Sequence, residues 1–345
     1  MVITARLLVL PLTISTLVAF RPAPALAECR TVGKLASVKI DPRALAQLQS
    51  IDYDENAIFE ALKRVSIPET AGCWGGATGD FDGQLLSAGA SQWNLGQGTL
   101  QPLLRRFRDK FSQGFRAEVS RLMPVYGSRF FSDGCVNGDR RGQPTAECRN
   151  FILSQQEVDG RLKAAFKEEV DSLFESDAMI QIQVDEFVKT LTSVQSDLER
   201  LFPDRKPSAL RVKWAIDQRV QQGFPPPSQV RAIRVRYGAA SNQKRVLGNI
   251  LLWYEGLCDS TLQEGIKLDC EYNIPAWRSV LARGLSDEQA DLLLITHLKS
   301  RVATGGGGVY EALCFERRAT IIFGKGSVAG REIGGSDSSV VAQFP

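Results

Sequence analysis

The chain has 345 residues, 43% hydrophobic and 23% charged, enough for one large core or two modest ones. Its 42 basic and 39 acidic residues leave a formal charge of +3, too small to argue for a nucleic-acid partner. The single histidine, His297, excludes zinc sites that need two or more histidines and leaves carboxylates as the expected acid and base.

In chain order, Arg6, the apolar run Leu7 to Phe20 and Ala25-Leu26-Ala27 predict a secretory signal peptide over 1–27. That run is shorter than the roughly 20 residues of a spanning helix, and no later segment approaches that length, so no membrane span is expected. The protein is expected to be exported, periplasmic or secreted. In such a compartment the seven cysteines read as bridges, with Cys135–Cys148 and Cys258–Cys270 preferred because each pair brackets a polar loop. Cys29, Cys73 and Cys314 remain; a third bridge would leave one thiol free, and which one stays open. No C-x-x-C pair is present, and neither a metal nor another cofactor is expected.

Helices are predicted over 42–50 and 55–66, the second burying Ile58, Phe59, Leu62 and Val65 and stopping at Pro68. Eight glycines and two tryptophans between Glu69 and Gly98 predict loop and short strand. Helix resumes with Thr99 as N-cap and runs to Pro124, its apolar face led by Leu103, Leu104 and Phe107, with Arg105, Arg106, Arg108 and Lys110 on a solvated face. A second helical block spans roughly 154–223, within which Met179 to Val184 reads equally as strand or helix. Beyond Pro225-Pro226-Pro227, helices are predicted at 228–236, 243–257, 275–283 and 286–302, the last capped by Ser286. Gly305 to Gly308 reads as a hinge or loop. Gly324-Lys325-Gly326-Ser327 lacks the spacing of a phosphate loop, and His297, among Leu292, Leu293 and Ile295, reads as structural.

The chemistry concentrates between Glu69 and Leu100. A carboxylate stands just past a predicted helix end, Asp80 and Asp82 follow in a glycine-rich turn, and amides and a tryptophan precede the next helix. Glycoside cleavage needs such a set: an acid for the leaving oxygen, a second carboxylate for water or the cationic transition state, and amides and aromatic faces for the sugar. Asp-Gly turns also occur without function, and the closing glutamate of a calcium loop is missing.

The run Gly79-Asp80-Phe81-Asp82-Gly83-Gln84, with Ser87, Gly89, Gln92-Trp93-Asn94 and Gly96-Gln97-Gly98-Thr99-Leu100, resembles the signature of exported bacterial proteins of the lysozyme superfamily. These are peptidoglycan hydrolases distantly related to the helical chitosanases. The resemblance is specific over about 35 residues. It implies Glu69 as general acid, Asp80 or Asp82 as second carboxylate, and Gln92 as a substrate-positioning amide, with Gln84, Ser87, Trp93 and Asn94 beside it. Leu85 stands where the resemblance expects glycine, and Ala88 and Ser91 are smaller than expected.

The expected fold is α+β, mainly α: lysozyme-like, with a small β-hairpin and a larger helical body. Residues 28–125 would supply the catalytic core segment, and 126–345 the helical region completing the fold and cleft. The expected function is hydrolysis of a β-1,4-linked amino-sugar polymer, peptidoglycan first. Alternatives are a lytic transglycosylase, a chitosanase, or an inactive peptidoglycan-binding envelope protein. The oligomeric state stays open.

Overall fold

The computed structural model describes residues 29–80, 83–203, 206–237, 240–260, 264–302, 308–328 and 330–333. The predicted signal segment, most of the Gly305–Gly308 run and Asp82 lie outside these residues.

Helices α1 (Pro42–Gln49) and α2 (Glu55–Thr70) begin at Asp41 and Asp54, whose carboxylates accept from backbone N–H groups of the first turn. Contrary to expectation, α2 does not stop at Pro68, which sits in its last turn. Proline cannot donate to the carbonyl four residues back, and the turn is closed instead on the Ser66 carbonyl. That oxygen accepts from the N–H groups of Ala71 and Gly72 and from Thr70 Oγ1. Ala71, at φ 57°, then ends the helix. Glu69 is thereby held in a helical turn, not just beyond one.

After the loop that follows, β1 (Ser87–Ala88) and β2 (Trp93–Asn94) form an antiparallel hairpin, Ser87 opposite Asn94 and Ala88 opposite Trp93. The single helix expected up to Pro124 is broken into α3 (Gln101–Lys110) and α4 (Phe115–Leu122) by a turn ending at Gly114. Thr99 is not the N-cap, because its hydroxyl accepts from Asn94 N at 2.7 Å and steadies the hairpin instead. Nor is the basic face wholly solvated: Arg105 donates to Val136 O at 3.0 Å, and Arg106 pairs with Asp185 and Glu186.

Short helices α5 (Gly127–Phe130) and α6 (Asp133–Val136) lead to α7 (Ala146–Ser154), α8 (Ala164–Phe174), α9 (Asp177–Leu201) and α10 (Ala209–Gln222). Met179 to Val184 is helical, within α9. The C-terminal part comprises α11 (Pro227–Tyr237), α12 (Ala240–Ser260), α13 (Glu264–Arg283), α14 (Asp287–Ser300) and α15 (Val309–Phe323), followed by a second hairpin of β3 (Gly326–Val328) and β4 (Arg331–Ile333). Helix α13 starts earlier than predicted and passes through Pro275, Ser286 makes the expected cap, and α15 was not anticipated.

The described chain is mainly helical and buries two apolar cores. One joins the first hairpin to α3–α8 around Leu104, Phe107, Phe130 and Phe166. The other joins α1, α2 and α10–α15 around Leu62, Trp214, Trp277 and Phe315. Helix α9 serves both, giving Met179 and Ile182 to the first and Ile180, Val184 and Phe187 to the second. Three disulfides, Cys29–Cys73, Cys135–Cys148 and Cys258–Cys270, include both preferred pairs and leave Cys314 as a buried thiol. They suit an oxidising compartment. Among the described residues no helix is long and apolar enough to cross a membrane.

Candidate active site

A cleft of about 510 Å³ opens where the first hairpin faces the helical body. Six of the eight predicted site residues line it: Glu69, Gln84, Ser87, Gln92, Trp93 and Asn94. They arrive by two routes, Glu69 from the last turn of α2 and the other five from the hairpin and its approach.

The hairpin wall is fixed by short-range hydrogen bonds. Thr78 and Ser87 exchange backbone bonds at 2.8 and 3.0 Å. Gln92 ties three segments together, accepting from Thr78 Oγ1 at 2.8 Å and donating to the carbonyls of Gly76 and Gly89 at 2.8 and 3.3 Å. Its amide therefore builds the wall as well as lining it. Asn94 Oδ1 accepts from Gln97 N at 2.7 Å, which shapes the turn towards α3. Behind the wall, Gln183 of α9 accepts from Ala90 N at 2.9 Å and donates to Phe174 O at 2.8 Å. A Cβ on Gly89 would lie 2.7 Å from Gln183 Oε1 and 2.8 Å from the Phe174 ring, so only glycine lets the loop seat there.

Asp80 does not line this cleft. Its carboxylate accepts from Leu85 N at 2.6 Å, and its own N–H donates to Gly160 O at 3.0 Å. Leu85 adopts φ 67°, the left-handed region that favours glycine, while its side chain is buried in the hairpin core. The residue that departs from the resemblance thus keeps the glycine-like backbone, at a cost of about 1 kcal/mol. Asp80 steadies that turn.

The opposite wall comes from α9, α10 and α15, in the region expected to complete the cleft, but its individual residues were not anticipated. It presents Thr190, Arg219, Gln221, Tyr310, Leu313 and Arg317. Arg317 is the centre of an ion cluster. Its guanidinium binds the Glu69 carboxylate on the cleft side and Asp217 behind, donating from Nε at 2.9 Å and lying 2.8 Å away through Nη2. Burial opposes the Arg317 charge, but Asp217 and Glu69 outweigh it and hold the group above its ordinary range. Arg318 backs Asp217 at 3.3 Å and donates to Gln222 and Gln221 at 2.8 and 2.9 Å. Arg219 is anchored by Asp197 at 2.9 Å. Three consecutive charged residues, Glu316 to Arg318, inside an otherwise apolar run were the one sequence signal for this wall.

His297 does not line the cleft and sits edge-on against Trp253, ring centres 4.7 Å apart. Burial, then Arg301, pushes its pKa down to about 4, so it is neutral at pH 7, in keeping with a structural histidine. Among the described residues no cluster of His, Cys, Asp and Glu could hold a metal ion.

Chemically, the cleft combines one carboxylate held by a pinned arginine with amides, hydroxyls and the half-buried Trp93. Comparison with protein-family models, curated proteins and solved structures gives no significant match.

Proposed function

We propose that the protein is an exported, lysozyme-like glycosidase that cleaves a β-1,4-linked amino-sugar polymer, peptidoglycan first. The observation that carries this reading is the meeting of Glu69, from a helix end, with Gln84, Ser87, Gln92, Trp93 and Asn94 in one cleft. In this reading Glu69 takes up a proton from solvent as the polymer enters beside its pair with Arg317, and gives it to the glycosidic oxygen as the bond to the anomeric carbon breaks. Arg317, held from behind by Asp217, remains in place to stabilise the carboxylate left on Glu69. Trp93 offers an apolar face to a sugar ring, and the hairpin amides and hydroxyls meet its hydroxyl and acetamido groups. Water then attacks the anomeric carbon, activated by Asp82, since Asp80 is committed to the Leu85 turn.

A second reading, lytic transglycosylation, is favoured by one observation: Glu69 is the only carboxylate among the described residues that line the cleft. There the substrate's own hydroxyl replaces water and the product is an anhydro sugar.

The test is to incubate the purified protein with peptidoglycan sacculi beside Glu69→Gln and to weigh the soluble products by mass spectrometry. Reducing-end fragments lost in Glu69→Gln support the hydrolase, and fragments lighter by one water support the transglycosylase. Sacculi bound without release would leave a wall-binding protein. Release from soluble chitosan alone would move the substrate to that polymer.

A further inference from the structure

A second cavity, of about 750 Å³, lies between α12 and α13, lined by none of the residues of the candidate active site. That volume falls within the range of ordinary ligand pockets, roughly 300–1,000 Å³. Its floor is aliphatic: Leu247, Leu251, Leu281 and Leu285, with Leu252 at the lip and 60% exposed. Its rim is cationic, carrying Lys244, Arg245, Arg278 and Arg283. Among the described residues the one carboxylate on the lining, Glu255, is engaged by Arg278 at 2.6 Å. An apolar floor under a ring of cations fits a ligand with a hydrocarbon body and an anionic head.

The sequence around the cavity points the same way. No Asp or Glu occurs between Asp217 and Glu255, while Arg231, Arg234, Arg236, Lys244 and Arg245 all fall in that stretch. In a chain of nearly balanced charge this is a marked segregation. Val235, 87% exposed, lies on α11, which packs against α12. Large exposed apolar side chains among cations are what an anionic membrane surface selects.

We propose that this cavity takes an acyl chain of an anionic phospholipid, with the lipid phosphate held by the cations at its rim, and so docks the protein on an anionic membrane surface. A peptide suits the cavity less well. Among the described residues Asn249 is the only uncharged polar side chain on the lining, so a peptide backbone would find few partners there, whereas an acyl chain requires none.

Co-sedimentation of the purified protein with vesicles tests this. We expect binding to vesicles of equal parts phosphatidylglycerol and phosphatidylcholine and none to phosphatidylcholine alone. Lys244→Glu/Arg283→Glu should weaken binding roughly tenfold or more, and the surface substitution Leu252→Asn should also weaken it. Lys110→Glu/Arg116→Glu, an exposed pair on another face, should leave it unchanged. Equal binding to both vesicles, or to neither, would overturn the proposal. So would equal losses from the two charge-reversed pairs, an inert Leu252→Asn, or a polyglutamate peptide that competes as well as the lipid.

Discussion

On the hairpin side of the cleft, the contacts among the lining residues span few positions, Thr78 to Gln92, Asn94 to Gln97 and Thr78 to Ser87, and only the backing of the loop by Gln183 reaches far along the chain. On the helical side, the decisive contacts span 248 residues from Glu69 to Arg317 and 100 from Asp217 to Arg317. The first wall is built of neutral hydrogen bonds and glycine geometry, the second of buried charge. Neutral bonds are individually weak and replaceable, worth about 1 kcal/mol each, whereas a buried ion cluster tolerates no missing member. One side can therefore vary in detail while the other is all or nothing.

The sharpest way to break this contrast is Arg317→Met. It leaves Asp217 buried without its main cation and should cost about 3–5 kcal/mol in urea denaturation, with turnover lost. A cost below that of a single neutral bond would show that the cluster does not hold the wall.

A pH effect of similar size is confined to the helical side. Burial raises the Glu316 carboxyl to about 8, although the hydrogen bond from Tyr254, at 2.7 Å, favours the ionised form. The folded pKa is above the unfolded one. Glu316 therefore contributes its full stability below pH 4.5, loses it as pH rises towards 8, and contributes no further slope above that. The loss should be on the order of 5 kcal/mol, and Glu316→Gln should flatten that limb of the stability profile. A profile of unchanged slope in the variant would assign the pH dependence elsewhere.

Smaller effects belong to the hairpin side. A Cβ on Gly79 would sit 1.8 Å from Gly160 O, a backbone atom that cannot swing aside. Gly79→Ala should cost about 1–3 kcal/mol by thermal melting. Thr78→Val removes the hydroxyl that bonds Gln92 and should cost about 1 kcal/mol. Its turnover on sacculi should fall further than its stability, because Gln92 would lose its setting, and equal losses would make that bond purely structural.

The same contrast explains what the sequence made legible. Glu69 and the hairpin residues fall within about 30 positions, so their composition and spacing could be read together. Arg317 and Asp217 look like ordinary surface charges until the chain folds. Helix α15 escaped notice because it is buried nearly all round, Glu316 to Arg318 included, and so shows no apolar stripe. Pro68 and Thr99 misled for a local reason. Each has a usual role as helix stop or N-cap, and here the Ser66 carbonyl and the Asn94 backbone provided other partners.

Helix α9 gives the arrangement a thermodynamic character. Its 25 residues are the common boundary of both cores, and Gln183 in its N-terminal part is bonded to the hairpin loop and to the end of α8. Neither core can melt and leave the other its full complement of partners. Unfolding should accordingly register as a single cooperative transition by every probe. The width of the cleft is then a property of the whole molecule, lost all at once when α9 unwinds.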